Sequence, residues 1–95
     1  MTEPDATTSE GGEFPEASFT RHLFDLAQQV AIALGEVENP ITKRRDVHLP
    51  AAQFLIDTIA MLEEKTRGNR TSEEDSYVQG VLANLRVAFV SKSSS

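Results

Sequence analysis

No cysteine and no tryptophan occur in the 95 residues, and there are two histidines and one tyrosine. Without a thiol there can be no disulfide staple, no thiolate metal site and no cysteine nucleophile. Neither His22 nor His48 has a metal-ligand type three or four residues away in convincing geometry. Asp25, three residues after His22, is the nearest, and a lone His–Asp pair on a helix reads as a surface contact. No serine stands in a nucleophile context, and no Gly-rich phosphate loop follows a strand pattern. These absences leave no expected catalytic residue, cofactor or metal ligand, and a non-enzymatic protein is expected.

Long apolar runs are missing too. The densest stretch, Val30 to Leu34, is far short of a membrane span. The N-terminus has no positive region followed by an apolar run, so no secretory signal is expected. A soluble, cytoplasmic protein with no membrane partner is therefore expected. Asn69-Arg70-Thr71 matches a glycosylation acceptor in form only, because no secretion route is expected.

Fifteen acids against nine bases give a net charge of −6. Glu3, Asp5, Glu10, Glu13 and Glu16 put five of those charges before residue 18, where no base occurs. The remainder carries ten acids and nine bases, and such a near-neutral domain neither argues for nor excludes nucleic acid. Residues 1–16 are poor in large apolar side chains and cannot offset their ordering entropy, so they read as a disordered acidic tail. Residues 91–95 read as a second disordered tail. The span 17–90 is one small domain.

Three segments of that domain have helical periodicity and none has strand alternation, so the fold expected is an all-α three-helix bundle. The first helix starts at the N-cap Ser18 and stops at Leu34, with Gly35 suited to the left-handed position beyond it. Its face is Phe19, Leu23, Leu26, Val30 and Leu34, widened by Phe24, Ala27 and Ala31. The second opens at Pro50, whose missing N–H has no partner in a first turn, and carries Ala52, Leu55, Ile56, Ile59 and Leu62. The third follows Thr71 and runs to about Val90, with Tyr77, Val78, Val81, Leu82, Leu85, Ala88 and Phe89 on one side. Gly80 interrupts it, either as a close approach with Ala83 and Val87 or as a tolerated weakness worth about 1 kcal/mol.

"EEKTRGNRTSEED", residues 63–75, reads as a junction between helices. Lys65 complements the dipole of the second helix, Gly68 and Asn69 tolerate positive φ, and Thr71-Ser-Glu-Glu74 is a capping box. The turn is short, so the second and third helices are antiparallel neighbours. The connection from Gly35 to Leu49 is longer than a bundle needs and reads as a packed loop. Asn39-Pro40 forces a turn there, and Val37, Ile41, Val47 and Leu49 are its expected anchors.

Two groups of cations are candidate anion contacts: Lys43, Arg44 and Arg45 in the long loop, and Lys65, Arg67 and Arg70 around the junction. They lie about 25 Å apart at the two ends of the second helix, so one copy cannot bring them together, whereas an antiparallel dimer can. Asp57 lies on that helix's hydrophilic side, with Arg44 or Arg45 as the alternative partner. Phe54, Thr58 and Met61 sit roughly 100° from its apolar stripe and widen the apolar arc to about 220°. Phe54 and Met61 are therefore the candidate self-association residues, with a homo-oligomer, a dimer foremost, as the expected state.

The segments "FTRHLFDLAQQVAIALGEVENP" and "DVHLPAAQFLIDTIAMLEEKTRGNRTSEED" resemble a bacterial family of short helical proteins catalogued as a domain of unknown function. Leu26-Ala27, Leu34-Gly35, Asn39-Pro40, Ile56-Asp57, Lys65-Thr66 and Gly68-Asn69 carry the resemblance across about residues 18–90. Arg70 departs from the leucine common there, and Pro50 departs at the helix start. The resemblance implies an all-helical bacterial cytoplasmic protein and no functional residues. The expected function is a self-associating protein-interaction module. The alternative is an accessory nucleic-acid-binding protein using the two basic loops, although no aromatic residue is interleaved with them.

Overall fold

The computed structural model describes residues 14–94. The acidic segment expected to be disordered lies, through Glu13, outside the described residues, and so does Ser95. Three helices follow in order: α1 (Phe19–Ala33), α2 (Leu49–Lys65) and α3 (Ser72–Ser93). Among the described residues there is no strand, and every pair of helices packs together. The chain is an all-α three-helix bundle.

Local chemistry fixes each helix end. Ser18 Oγ accepts the N–H of Arg21 at 3.0 Å, which satisfies a first-turn donor of α1. At the other end Gly35 adopts φ +76°. Its N–H goes to the carbonyl of Ile32 and that of Glu36 to Ala31, the paired closure of a Schellman motif. A Cβ on Gly35 would stand 3.1 Å from Val47 Cγ2, so this glycine also admits the returning loop.

The cap of α2 is His48, whose Nδ1 accepts the N–H of Ala51 at 3.2 Å, so Pro50 is its second residue rather than its first. The capping box of α3 is complete. Thr71 Oγ1 accepts from Glu74 N at 3.1 Å, and Glu74 Oε1 accepts from Thr71 N at 2.9 Å. The helix continues through Ser93, three residues past the end expected near Val90, so residues 91–93 of the expected tail are helical. Lys92 lies in that last turn, where a cation complements the dipole, and Ser93 Oγ donates to the carbonyl of Val90.

The core is Leu23, Leu26, Val30, Ala33 and Leu34 from α1 and its cap, Ala52, Ile56 and Ile59 from α2, and Val78 and Leu82 from α3. Removing a side chain as large as the fully buried Leu23 costs about 3 kcal/mol. Leu49, Leu55, Leu62, Tyr77, Val81, Leu85 and Phe89 pack half-buried around it.

The long loop is held differently from expectation. Ile41 is 88% exposed and Val47 is exposed as well, so neither anchors the loop as a buried side chain. Hydrogen bonds do the work instead. Asn39 Oδ1 accepts from Ile41 N at 2.8 Å and Thr42 N at 3.2 Å, while Asn39 N donates to the carbonyl of Arg44. His48 N then donates to the carbonyl of Ala33, fastening the loop's end to α1. Lys43 takes φ 63°, a left-handed position that the sequence did not mark with glycine or asparagine.

Candidate functional site

The outward side of α2 is apolar and uncovered. Phe54 is 69% exposed and Met61 44%, seven residues and two turns apart. Ala51, Leu55, Thr58 and Leu62 lie half-buried between them and the core. Thr58 Oγ1 donates to the carbonyl of Phe54 at 2.9 Å, so its hydroxyl is satisfied within the helix and its methyl adds to the apolar strip. No charge interrupts the strip from Ala51 to Leu62; Asp57 lies to one side and accepts from Gln53 Nε2 at 2.8 Å, not from Arg44 or Arg45.

The strip opens at its N-terminal end into a groove of about 560 Å³ between α1, the long loop and α2. Ile32 and Ala33, Pro40 and Ile41, and Ala51 and Leu55 give it apolar walls. Exposed Ile41 therefore forms a rim of this groove rather than an anchor of the fold.

At the opposite end of α2 a polar clasp closes the junction with α3. Glu63 continues the Ala52, Ile56, Ile59 stripe and is 8% exposed. Arg67 grips its carboxylate with two hydrogen bonds of 2.9 Å, and Gln79 Nε2 donates to it from α3 at 3.1 Å. The Arg67 hydrogen bond is the main cause that holds the Glu63 carboxyl down to about 2 from its ordinary 4.5. Burial pushes the other way, while Gln79 and the charges of Arg67 and Arg70 add to the lowering. The same pair raises the pKa of Arg67.

Arg70 is the clasp's second cation, with a side chain only 8% exposed. Its guanidinium donates to the carbonyl of Glu63, to Thr66 Oγ1 at 3.2 Å and to the Asp75 carboxylate. It thereby satisfies a C-terminal carbonyl of α2 and meets an acid in the first turn of α3. Its Nε is buried without a partner.

The six candidate cations are thus divided. Arg67 and Arg70 converge on Glu63, Arg70 enclosed and Arg67 still exposed at the surface. Arg44 pairs with Asp46 at 3.0 Å on the surface. Lys43, Arg45 and Lys65 are exposed and pair with no acid among the described residues. The loop group and the junction group remain at opposite ends of α2. Asp25 pairs with Arg21 at 3.3 Å. Among the described residues no group of three or more histidines or acids is placed to hold a metal ion. No helix among them is long and apolar enough to cross a membrane.

Comparison with known proteins places the whole arrangement in one family. The model described as Domain of unknown function (DUF1844) matches residues 16–91. The chain belongs to that family. All three helices start within the DUF1844 match, and the α2 strip, the groove and the clasp lie inside it. Nothing among the curated proteins or the solved structures matches the chain.

Two residues of the clasp, Glu63 and Arg67, carry a signal in the sequence. Glu63 occupies the next core position after Ile59 on a period of three to four, and Arg67 stands four residues later. That combination marks a buried acid with its own cation. The rim role of Ile41 had no such signal, because it depends on how the loop crosses α1.

Proposed function

We propose that this protein is a non-enzymatic, self-associating interaction module of the bacterial cytoplasm, working as a dimer. The observation that supports the reading is the pair Phe54 and Met61, exposed on an uncharged strip of α2 beside an apolar groove. A large aromatic side chain and a methionine left in water on one helix face represent apolar surface available for burial. A second copy of the chain is always present at the concentration of the first, and a closed two-fold contact is the commonest solution for such a face. A further protein partner would dock on whatever apolar surface the dimer leaves open.

The nucleic-acid reading is supported less. Arg67 and Arg70, two of its six cations, are engaged with Glu63, and Arg44 is engaged with Asp46. The three exposed, unpaired cations fall at both ends of a 17-residue helix.

Purification from native lysate near 0.1 M salt, with and without nuclease, separates the two readings. Light scattering is expected to give twice the 10.4 kDa chain mass with no excess absorbance at 260 nm. A nuclease-sensitive 260 nm signal that falls steeply with salt would overturn the module reading. The absence of tryptophan and the single tyrosine make any bound nucleic acid conspicuous.

A further inference from the structure

We infer that two copies pair through α2 in antiparallel orientation about a two-fold axis at Thr58, each copy's loop tip meeting the partner's α2–α3 junction. The inference rests on the self-association reading above and specifies its geometry.

The spacing of the strip carries the first part. Ala51, Phe54/Leu55, Thr58, Met61/Leu62 and Lys65 follow the three-four alternation of a helix–helix seam. Reversing the strip about Thr58 exchanges 51 with 65, 54 with 62 and 55 with 61. A self-complementary contact requires such an exchange, since residue i must meet j while j meets i. Phe54 then packs on the partner's Leu62, and Leu55 on the partner's Met61. Thr58 meets its own copy at the axis with its hydroxyl already bonded to Phe54, so burial there strands no donor.

Leu55 lies at the mouth of the groove, so the partner's Met61 arrives where Ile32, Ile41 and Ala51 leave an irregular apolar space. An unbranched thioether suits such a space.

Charge decides the direction. The loop tip, Lys43 to Asp46, holds three cations and one acid, a net +2. The junction, Glu63 to Asp75, holds five acids and three cations, a net −2. A parallel pair would set tip on tip and junction on junction, with like charges facing. The antiparallel pair sets +2 against −2 at both ends.

Area calls for more than the helix face alone. The outer face of α2 is about 25 Å long. At about 10 Å wide it supplies less than the roughly 800 Å² per partner that a stable interface buries. The groove, loop tip and junction supply the remainder only when they lie against the other copy. The exposed stripe on α3 around Gly80 and Val87 also has opposite end charges, Glu73, Glu74 and Asp75 against Lys92, but the apolar groove lies beside α2.

Single-cysteine variants test the geometry, because the chain has no cysteine of its own. Thr58→Cys, Ala51→Cys and Lys65→Cys are made separately, checked by circular dichroism and treated with a short bismaleimide. In the antiparallel pair the two copies of residue 65 stand about 21 Å apart along the axis, whereas residue 65 faces the partner's residue 51. Thr58→Cys is expected to give a covalent dimer. Lys65→Cys and Ala51→Cys are each expected to stay uncoupled alone and to couple when mixed. Coupling of Lys65→Cys with itself, or no coupling at Thr58 in a protein of twice the chain mass, overturns the geometry while leaving self-association intact. A wild-type mass of one chain overturns both.

Discussion

Gln79 on α3 donates to the carboxylate of Glu63 on α2 at 3.1 Å, linking two helices through an acid that sits in line with the core. The bond is one of several converging on Glu63, and it shows why the α2–α3 junction is a structural device. A buried carboxylate is tolerable only when its charge and lone pairs are met, and Arg67, Arg70 and Gln79 meet them. Two of the three cations that made this loop look like an anion site, Arg67 and Arg70, are the ones that hold Glu63.

Acid should loosen this junction. The folded pKa of Glu63 is depressed to about 2, so its stabilisation is present above the unfolded value near 4.5 and is lost as pH falls through that window. Thermal melting followed from pH 7 down to about pH 2 should show the wild type losing stability below about pH 4.5. Glu63→Gln should melt lower at neutral pH and lose less on acidification, so that the two curves converge. A variant that tracks the wild type at constant offset contradicts this account.

Arg70 is predicted to matter by shape as well as charge. Arg70→Ala leaves a buried gap and frees the Glu63 carbonyl, at a cost of about 2 kcal/mol, since Arg67 and Gln79 still hold the carboxylate. Arg70→Met refills the volume and should lose less than half as much. Urea unfolding measures both; equal losses would mean that packing contributes nothing at this position.

Two glycines should respond with opposite signs. Gly35→Ala forces a side chain into φ +76° and against Val47, costing about 1–2 kcal/mol. Gly80→Ala meets nothing within 4 Å and should add up to about 1 kcal/mol by favouring the helix. Because the α3 stripe lies outside the proposed pairing, Gly80→Ala should leave the oligomeric mass unchanged. A monomeric Gly80→Ala protein would move the interface to α3.

Reversing the loop's charge should weaken the pairing without touching the fold. Lys43→Glu with Arg45→Glu turns the +2 tip into −2. The dissociation constant is expected to rise about tenfold at low salt and by less at high salt. Sedimentation at two salt concentrations reads this directly, and an unchanged constant at both would remove the tip from the interface.

How much of this was legible in the sequence follows from how local each cause is. Ser18, Gly35, Thr71 and Glu74 act within a few residues of themselves, and the helix ends they predict are the ends found, give or take one residue. The exposure of Phe54 and Met61 followed from helical angle alone. The clasp was harder, because an acid at a core position conflicts with the hydrophobic pattern used to find the core. Arg67 one turn on, the distant Gln79 and the folded-back Arg70 together make it acceptable. The loop defied its apolar residues because Asn39 organises it through its own side chain, leaving Ile41 free to face outward. His48 as a cap was illegible for a related reason, since its imidazole nitrogen stands in for the usual hydroxyl or carboxylate.

The most direct test of the central claim is the mass of the chain in solution beside that of a double variant, Phe54→Glu with Met61→Glu. At a concentration on the order of 50 µM the wild type should scatter as twice 10.4 kDa, and the variant as a single chain with the same helical circular dichroism. A wild type that stays at one chain mass, or a variant that remains dimeric, would contradict the assignment of α2 as the self-docking face.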